Sequence, residues 1–118
     1  MASIILIDDY DHFRMIINMM LENSGHKVRL AVNGQEGLDL FRDAPADIVL
    51  TDLHMPGMSG IDIIPKLRSL SDEVKIIVMS GFLDQSRNTK KMGADKFITK
   101  PVSSKKLLDA INELLPQK

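Results

Sequence analysis

The chain has 118 residues, which fits a single domain over residues 1–118 and leaves little room for a second. Apolar residues make up 44% and charged residues 26%, a globular composition rather than a disordered one. With a net charge of −1, we expect no direct binding to nucleic acid or to a membrane surface. The lack of cysteine and of any apolar run near roughly 18 residues predicts a cytoplasmic location.

Five short apolar runs alternate along the chain with stretches that have helical spacing. The runs cover residues 4–7, 28–31, 48–50, 74–79 and 97–99. Most are continuous and rich in Ile and Val, which is typical of strands buried on both faces of a parallel sheet. Strand alternating with helix therefore predicts an α/β fold, with helices on both faces of a five-stranded parallel sheet.

Some of the helical stretches carry unusual residues. Pro65 is harmless if Asp62 caps the third helix and the proline falls in its first turn; a kink is the alternative, and both stay open. Residues 84–91 have almost no apolar side chain, so a helix there is predicted to be the least stable element. Four methionines of the helical stretches are expected to pack in the core or at its edge: Met15, Met19, Met20 and Met92.

Polar residues end four of the predicted strands, and in an open α/β sheet ligands bind beyond these carboxyl ends. They are Asp8 and Asp9 after the first strand, Asp52 after the third, Ser80 after the fourth and Thr99-Lys100-Pro101 after the fifth. Each alone has an ordinary interpretation as a turn or capping residue, and one of Asp8, Asp9 and Asp11 is expected to cap the first helix. Their joint occurrence at different strands predicts one site.

The residue types of this site predict its chemistry. Three carboxylates in one cleft repel one another, and a hard divalent cation with oxygen ligands relieves the repulsion, which favours Mg²⁺. Three Asp at −3, the metal at +2 and Lys100 at +1 sum to zero, so the site could then take an incoming phosphoryl group. Asp52 is the predicted nucleophile, because it ends a central strand before a turn; attack by its carboxylate on phosphorus gives an acyl phosphate.

These residues resemble the receiver domains of bacterial two-component response regulators, in particular those similar to chemotaxis regulators. The resemblance extends over essentially the whole chain. Its motifs are Asp8-Asp9, Asp52 followed by Met55-Pro56-Gly57-Met58-Ser59-Gly60, Ser80-Gly81, Gly93-Ala94-Asp95 and Thr99-Lys100-Pro101. The resemblance implies a flavodoxin-like doubly wound fold with strand order 2-1-3-4-5 and five helices. It also implies a phosphorylation-dependent switch rather than an enzyme that turns over an external substrate.

The resemblance implies a role for each matching residue in the phosphoryl and metal site. Asp52 accepts the phosphoryl group from a phosphohistidine of a sensor histidine kinase or phosphotransfer protein. Asp9 and Asp52 are implied to be direct ligands of Mg²⁺. Asp8 is implied to act mainly through bound water, and the backbone carbonyl of His54 is a further ligand.

The resemblance also implies how the signal leaves the site. Ser80 and Lys100 bind the phosphoryl group, and the Lys100–Pro101 peptide bond is cis. Ser80 and Phe97 form the switch, in which the Phe97 ring turns inward on activation. The modified form is then expected to act on a downstream output protein or domain.

A magnesium-dependent phosphatase of the haloacid dehalogenase type is the alternative, since such enzymes also use an Asp nucleophile at a strand end. They resemble one another in an acid two residues after the nucleophile, where this chain has His54. They also need cap segments for which 118 residues leave no room. A flavin-binding flavodoxin fits less well, because aromatic residues make up only 4% of the chain.

Overall fold

The computed structural model describes residues 2–55, 57–81 and 90–115. The elements are β1 (Ser3–Ile7), α1 (Asp11–Asn23), β2 (Lys27–Ala31), α2 (Gly34–Asp43), β3 (Ile48–Asp52), α3 (Gly60–Leu70), β4 (Lys75–Ser80), β5 (Lys96–Thr99) and α4 (Ser104–Leu114). All five strands are parallel and form one sheet in the order β2-β1-β3-β4-β5. The predicted doubly wound fold and its strand order are therefore confirmed.

Part of the chain between β4 and β5 lies outside the described residues. Residues 90–92 form a helical turn there, at the place of the predicted fourth helix. The segment 84–91, predicted to be the least stable element, falls outside the described residues except for its last two positions. Within the described ranges, no helix is long and apolar enough to span a membrane.

Two apolar clusters cover the two faces of the sheet. Ile5 and Ile7 of β1 pack with helices α2 and α3, whereas Ile4 and Leu6 pack with helices α1 and α4. This alternation follows from the pleat of a strand, in which successive side chains point to opposite faces. β3 lies in the middle of the sheet and is buried along its whole length. The residue at its carboxyl end is therefore held by a fully buried strand at the centre of the sheet.

Helix α3 begins at Gly60, which bears on the two interpretations of Pro65 that the sequence left open. Its N-cap is Ser59, and Asp62 lies three residues later in a capping box, where its carboxylate accepts the Ser59 N–H at 3.1 Å. Pro65 lies past the first turn, so the assignment of Asp62 as N-cap with Pro65 in the first turn is wrong. The proline is exposed, and its ring lacks the N–H that would bond the Ile61 carbonyl.

The methionine side chains divide into two groups. Met20 and Met92 are partly buried and pack against the two core clusters, as predicted. Met15 and Met19 on α1 are 62% and 56% exposed, so the prediction that they pack in the core or at its edge is wrong. The two exposed residues are four positions apart and lie on the same side of the helix.

Candidate functional site

Three carboxylates meet at the carboxyl edge of the sheet. Asp8 and Asp9 directly follow β1, and Asp52 is the last residue of the neighbouring strand β3. One carboxylate oxygen from each lies within 4.8 Å of the other two. Asp8 is completely buried and Asp52 is 6% exposed, while Asp9 is open to solvent. The fold thus brings together all three acids that the sequence predicts as metal ligands.

Asp8 is held by the segment that leads into α1. Its Oδ1 accepts the Tyr10 N–H at 2.9 Å, and its backbone carbonyl accepts a hydrogen bond from Arg14 at 2.7 Å. Among the described residues, its Oδ2 has no hydrogen-bond partner. Burial raises the pKa of the Asp8 carboxyl above its usual value; the Tyr10 hydrogen bond opposes this shift and the charge of Asp52 adds to it.

The start of α1 also corrects an expectation about helix capping. The N-cap residue is Tyr10, and no side chain there makes a capping hydrogen bond. The prediction that Asp8, Asp9 or Asp11 caps this helix is therefore wrong. The Asp8 carboxylate accepts the Tyr10 N–H ahead of the helix instead. Asp8 and Asp9 both lie at the acidic site.

The Asp52 carboxylate is held between a lysine and a backbone amide. Its Oδ2 accepts a hydrogen bond from Lys100 Nζ at 3.1 Å, and its Oδ1 faces the His54 N–H at 3.5 Å. Its Cα is paired in register with Met79 of β4, and the following residue continues that pairing through a hydrogen bond to the Met79 carbonyl. Asp52 is therefore fixed by the sheet on one side and by charge on the other.

Two glycines shape the loop that follows Asp52. A Cβ on Gly60 would lie 2.8 Å from the Asp52 carbonyl oxygen and 2.9 Å from the Leu53 Cα, too close for any other residue without a backbone shift. Gly57 has φ +76, a left-handed conformation that glycine adopts without strain. Both belong to the sequence motif after Asp52, and together they fix the loop that carries the His54 carbonyl.

The last two strands contribute a hydroxyl and an ammonium group. Ser80 is buried at the end of β4, and its carbonyl accepts the Lys100 N–H at 2.9 Å. Lys100 directly follows β5, and its ammonium reaches across β4 to Asp52 on β3. The Lys100–Pro101 peptide bond is cis, as the resemblance implied. Phe97 lies on β5, half-buried against the cluster under α2 and α3.

Phe13 also contacts this site, although the sequence predicts no role for it there. Lys100 Nζ lies 4.4 Å from the centroid of the Phe13 ring, within the range of a cation–π interaction. In the sequence, Phe13 is simply an apolar residue of the first helical stretch. No local pattern could have revealed the contact, because it joins the first helix to the end of the last strand.

The donor set fits a magnesium ion. Three Asp at −3 and Lys100 at +1 leave a formal charge of −2, which one divalent cation cancels. The ligand atoms are carboxylate oxygens, the type that Mg²⁺ prefers. The buried Asp8 Oδ2, which lacks a partner within the described part of the chain, is an acceptor of the kind that a cation or its bound water satisfies.

The sequence has clear relatives among known proteins. Residues 4–112 match the family described as the response regulator receiver domain. The chain is 30% identical over 118 residues to the sporulation initiation phosphotransferase F of Bacillus subtilis, covering 98% of this chain and 95% of that protein. It is 32% identical over 114 residues to the chemotaxis protein CheY of Thermotoga maritima, covering 94% and 95%.

A solved structure supports the same family. The response regulator receiver domain protein from Clostridium thermocellum superposes with a TM-score of 0.91 at 33% identity, covering 97% of this chain and 94% of that one. These similarities give no support to the alternative of a phosphatase, and His54 stands where that alternative requires an acid. With the five-stranded order and the acidic site at its carboxyl edge, the chain belongs to the response regulator receiver domains.

Proposed function

We propose that residues 1–118 form one receiver domain that accepts a phosphoryl group on Asp52 and acts in the cytoplasm. The donor is a phosphohistidine of a sensor histidine kinase or phosphotransfer protein, and the modified form binds a downstream output protein or domain. The observation that carries the proposal is the ion pair of Asp52 with Lys100 at the end of the central strand, beside two further carboxylates. The name of the Bacillus relative, a phosphotransferase, adds support.

Asp52 is better suited to attack than the other two acids. Asp8 is completely buried, and its Oδ1 is occupied by the Tyr10 N–H. Asp9 is exposed, so water competes for its carboxylate. A carboxylate oxygen of Asp52 forms the bond to phosphorus while the bond from phosphorus to the donor imidazole breaks, and the electron pair leaves with the imidazole nitrogen. Lys100 lies where it can neutralise the phosphoryl oxygens.

In this proposal Asp8, Asp9, Asp52 and the backbone carbonyl of His54 hold Mg²⁺. When bound, the ion supplies positive charge that offsets the charge on the transferring phosphoryl oxygens. The chain's own groups do the remaining work: Lys100 binds one phosphoryl oxygen, and the Ser80 hydroxyl donates to another. The protein modifies only its own carboxylate, so it acts as a signalling domain and not as an enzyme on an external substrate.

Ser80 and Phe97 are the proposed switch. Phosphorylation adds roughly −1.5 to −2 charges beside Ser80 and Lys100. The Ser80 hydroxyl turns to donate to the phosphoryl group, and the Phe97 ring moves into the space that it leaves. The burial of Ser80 and the half-buried position of Phe97 on the adjacent strand support this coupling, in which phosphorylation shifts an existing equilibrium between two states.

The test is phosphorylation by acetyl phosphate in the presence of Mg²⁺. Intact-protein mass spectrometry should detect one added phosphoryl group that hydroxylamine removes, as expected for an acyl phosphate. Asp52→Asn should abolish it, while Asp39→Asn on the exposed side of α2 should be labelled like the wild type. Labelling that persists in Asp52→Asn would assign the acceptor to another residue.

A further inference from the structure

We propose that Phe13 is a positioning residue for phosphoryl transfer. Its ring holds the Lys100 ammonium at the site through the reaction, during which Asp52 changes its charge and shape. The inference rests on the proposed role of Asp52 as the phosphoryl acceptor. It assigns to the first helix a part in the chemistry of a site that is otherwise built from strand ends and loops.

The ammonium group of Lys100 has two neighbours from different elements. Nζ donates to Asp52 Oδ2 at 3.1 Å, and it lies 4.4 Å from the centroid of the Phe13 ring. The Lys100 side chain is 29% exposed, so the cation is partly removed from water. A cation over an aromatic face gains more from the ring when it is partly desolvated. The ring is thus a second attachment point for Nζ.

Lys100 needs such a second attachment because the first one changes during the reaction. The lysine side chain has a flexible four-carbon stem and loses considerable rotamer freedom when it is fixed. In the unmodified protein the Asp52 carboxylate holds it, but the acyl phosphate carries its negative charge on the phosphoryl oxygens instead. The Phe13 ring is the same before and after transfer. It therefore keeps Nζ close while the ammonium exchanges the carboxylate for a phosphoryl oxygen.

The number of donors on the ammonium allows this arrangement. The group has three N–H bonds. One points to Asp52, and the ring attracts the positive charge without using an acceptor atom. A further N–H remains to bind an incoming phosphoryl oxygen before the bond to Asp52 is given up. The ring thus holds the ammonium without competing for the acceptor that the reaction supplies.

The Phe13 ring is itself tied to the acidic site. It packs against the core cluster under α1 and α4, one turn before the buried Ile17. The first turn of α1 is fixed to Asp8 by two hydrogen bonds, from the Tyr10 N–H at 2.9 Å and from Arg14 at 2.7 Å. A ring so anchored holds Nζ at a defined distance from the carboxylates, which a side chain on a loose loop could not do.

The test compares Phe13→Leu, which keeps an apolar side chain but removes the ring, with Phe13→Tyr, which keeps the ring. Beryllofluoride serves as the probe, since its fluorides stand in for phosphoryl oxygens, and its affinity is measured at a fixed Mg²⁺ concentration. Phe13→Leu should weaken binding about three- to tenfold, and Phe13→Tyr should bind close to wild type. Because Phe13→Leu also removes packing volume, a purely structural role would lower beryllofluoride affinity equally with and without the Lys100 ammonium.

A double-mutant cycle identifies Lys100 as the partner of the ring. In a Lys100→Met background, Phe13→Leu should cause no further loss of beryllofluoride affinity. The NMR signals of the Lys100 Cε protons should be shifted upfield by the ring in wild type and in Phe13→Tyr, and should lose that shift in Phe13→Leu. An equal loss in both backgrounds, or Phe13→Leu binding as tightly as wild type, would overturn the positioning role. Wild-type protein that neither binds the probe nor is phosphorylated would instead refute the proposed acceptor site.

Discussion

At the amino-terminal edge of the sheet, charged side chains bond neighbouring backbone groups, whereas at the carboxyl edge three carboxylates lie close together and only one of them pairs with a lysine. Arg68 of α3 donates to the Gly93 carbonyl at 3.1 and 2.7 Å, to the Val74 carbonyl, and to Asp95 Oδ2 at 2.8 Å. Asp95 Oδ2 also accepts the Ile76 N–H at 2.8 Å. These bonds tie helix α3 to the start of β4 and to the loop before β5.

At the carboxyl edge, the negative charges are not all paired in this way. The formal charge of its three acids and one lysine is −2, and within the described residues Asp8 Oδ2 has no hydrogen-bond partner. Buried charge without compensation lowers stability, and such groups cluster where ligands bind. One edge of the sheet therefore stabilises the fold, while the other holds an excess of negative charge that a bound cation would offset.

Replacing the central residue of the amino edge should have the largest effect on stability. Arg68→Ala removes the side-chain donor of the Gly93 and Val74 carbonyls and leaves the Asp95 carboxylate with only the Ile76 N–H, so it should lower the free energy of unfolding by about 2–4 kcal/mol. Arg68→Lys should recover only part of this loss, because an ammonium cannot reproduce the fork of a guanidinium. Urea denaturation in EDTA measures both changes.

The matched control for this prediction is Arg42→Ala on α2. Arg42 pairs with Asp39 at 3.5 Å, and both side chains are more than half exposed, so its removal should cost less than about 0.5 kcal/mol. Folded Arg68→Ala protein should still bind beryllofluoride with Mg²⁺, because the acidic site lies at the other edge. If Arg68→Ala were no more destabilising than Arg42→Ala, the amino edge would not have the stabilising role described here.

A change at the carboxyl edge should act in the opposite direction. Asp8→Asn replaces a buried carboxyl group whose pKa is raised by burial. The metal-free protein should therefore become more stable, by about 1–2 kcal/mol. Mg²⁺ should stabilise the wild type by mass action, and the variant should lose most of that response. Thermal unfolding with EDTA and with Mg²⁺ measures both effects.

Asp47→Asn gives the matched comparison from the other edge. Asp47 Oδ2 accepts the Ser3 N–H at 2.9 Å, so the carboxylate is already paired and its neutralisation should bring no gain in stability. Its response to Mg²⁺ should equal that of the wild type, since it lies far from the acidic cluster. A gain for Asp47→Asn as large as that for Asp8→Asn would mean that loss of charge, and not the position of the charge, determines stability.

Sequence reasoning predicted the residues of the carboxyl edge because their positions follow from strand ends alone. Asp8, Asp52, Ser80 and Lys100 each end or follow an apolar run, and a parallel sheet places all such ends on one edge. The start of α3 stayed open in the sequence, because Asp62 was weighed as the N-cap only as one way to place Pro65 in the first turn, although Ser59 and Asp62 carry the spacing of a capping box.

The contacts that no local pattern encodes could not be predicted. Arg68 bonds residues that follow it by up to 27 positions, and Phe13 and Lys100 lie 87 positions apart in the sequence. The exposure of Met15 and Met19 was missed for a related reason. Apolar residues occur around most of α1, so its periodicity does not determine which of them face the solvent.

The smallest expected effect is a pH dependence at the amino edge. His26 Nδ1 accepts the Ala2 N–H at 3.1 Å beside the start of β2, and burial lowers the pKa of His26 below its usual value. The unfolded chain therefore binds a proton more readily than the folded one. Stability from this residue is fully present above about pH 6.5 and falls as the pH drops from there through the lower folded pKa, by less than about 1 kcal/mol.

His26→Asn, which keeps an acceptor but cannot titrate, should flatten the difference in unfolding free energy between about pH 5 and 8. A His26→Asn profile parallel to wild type would exclude the His26 bond as its source.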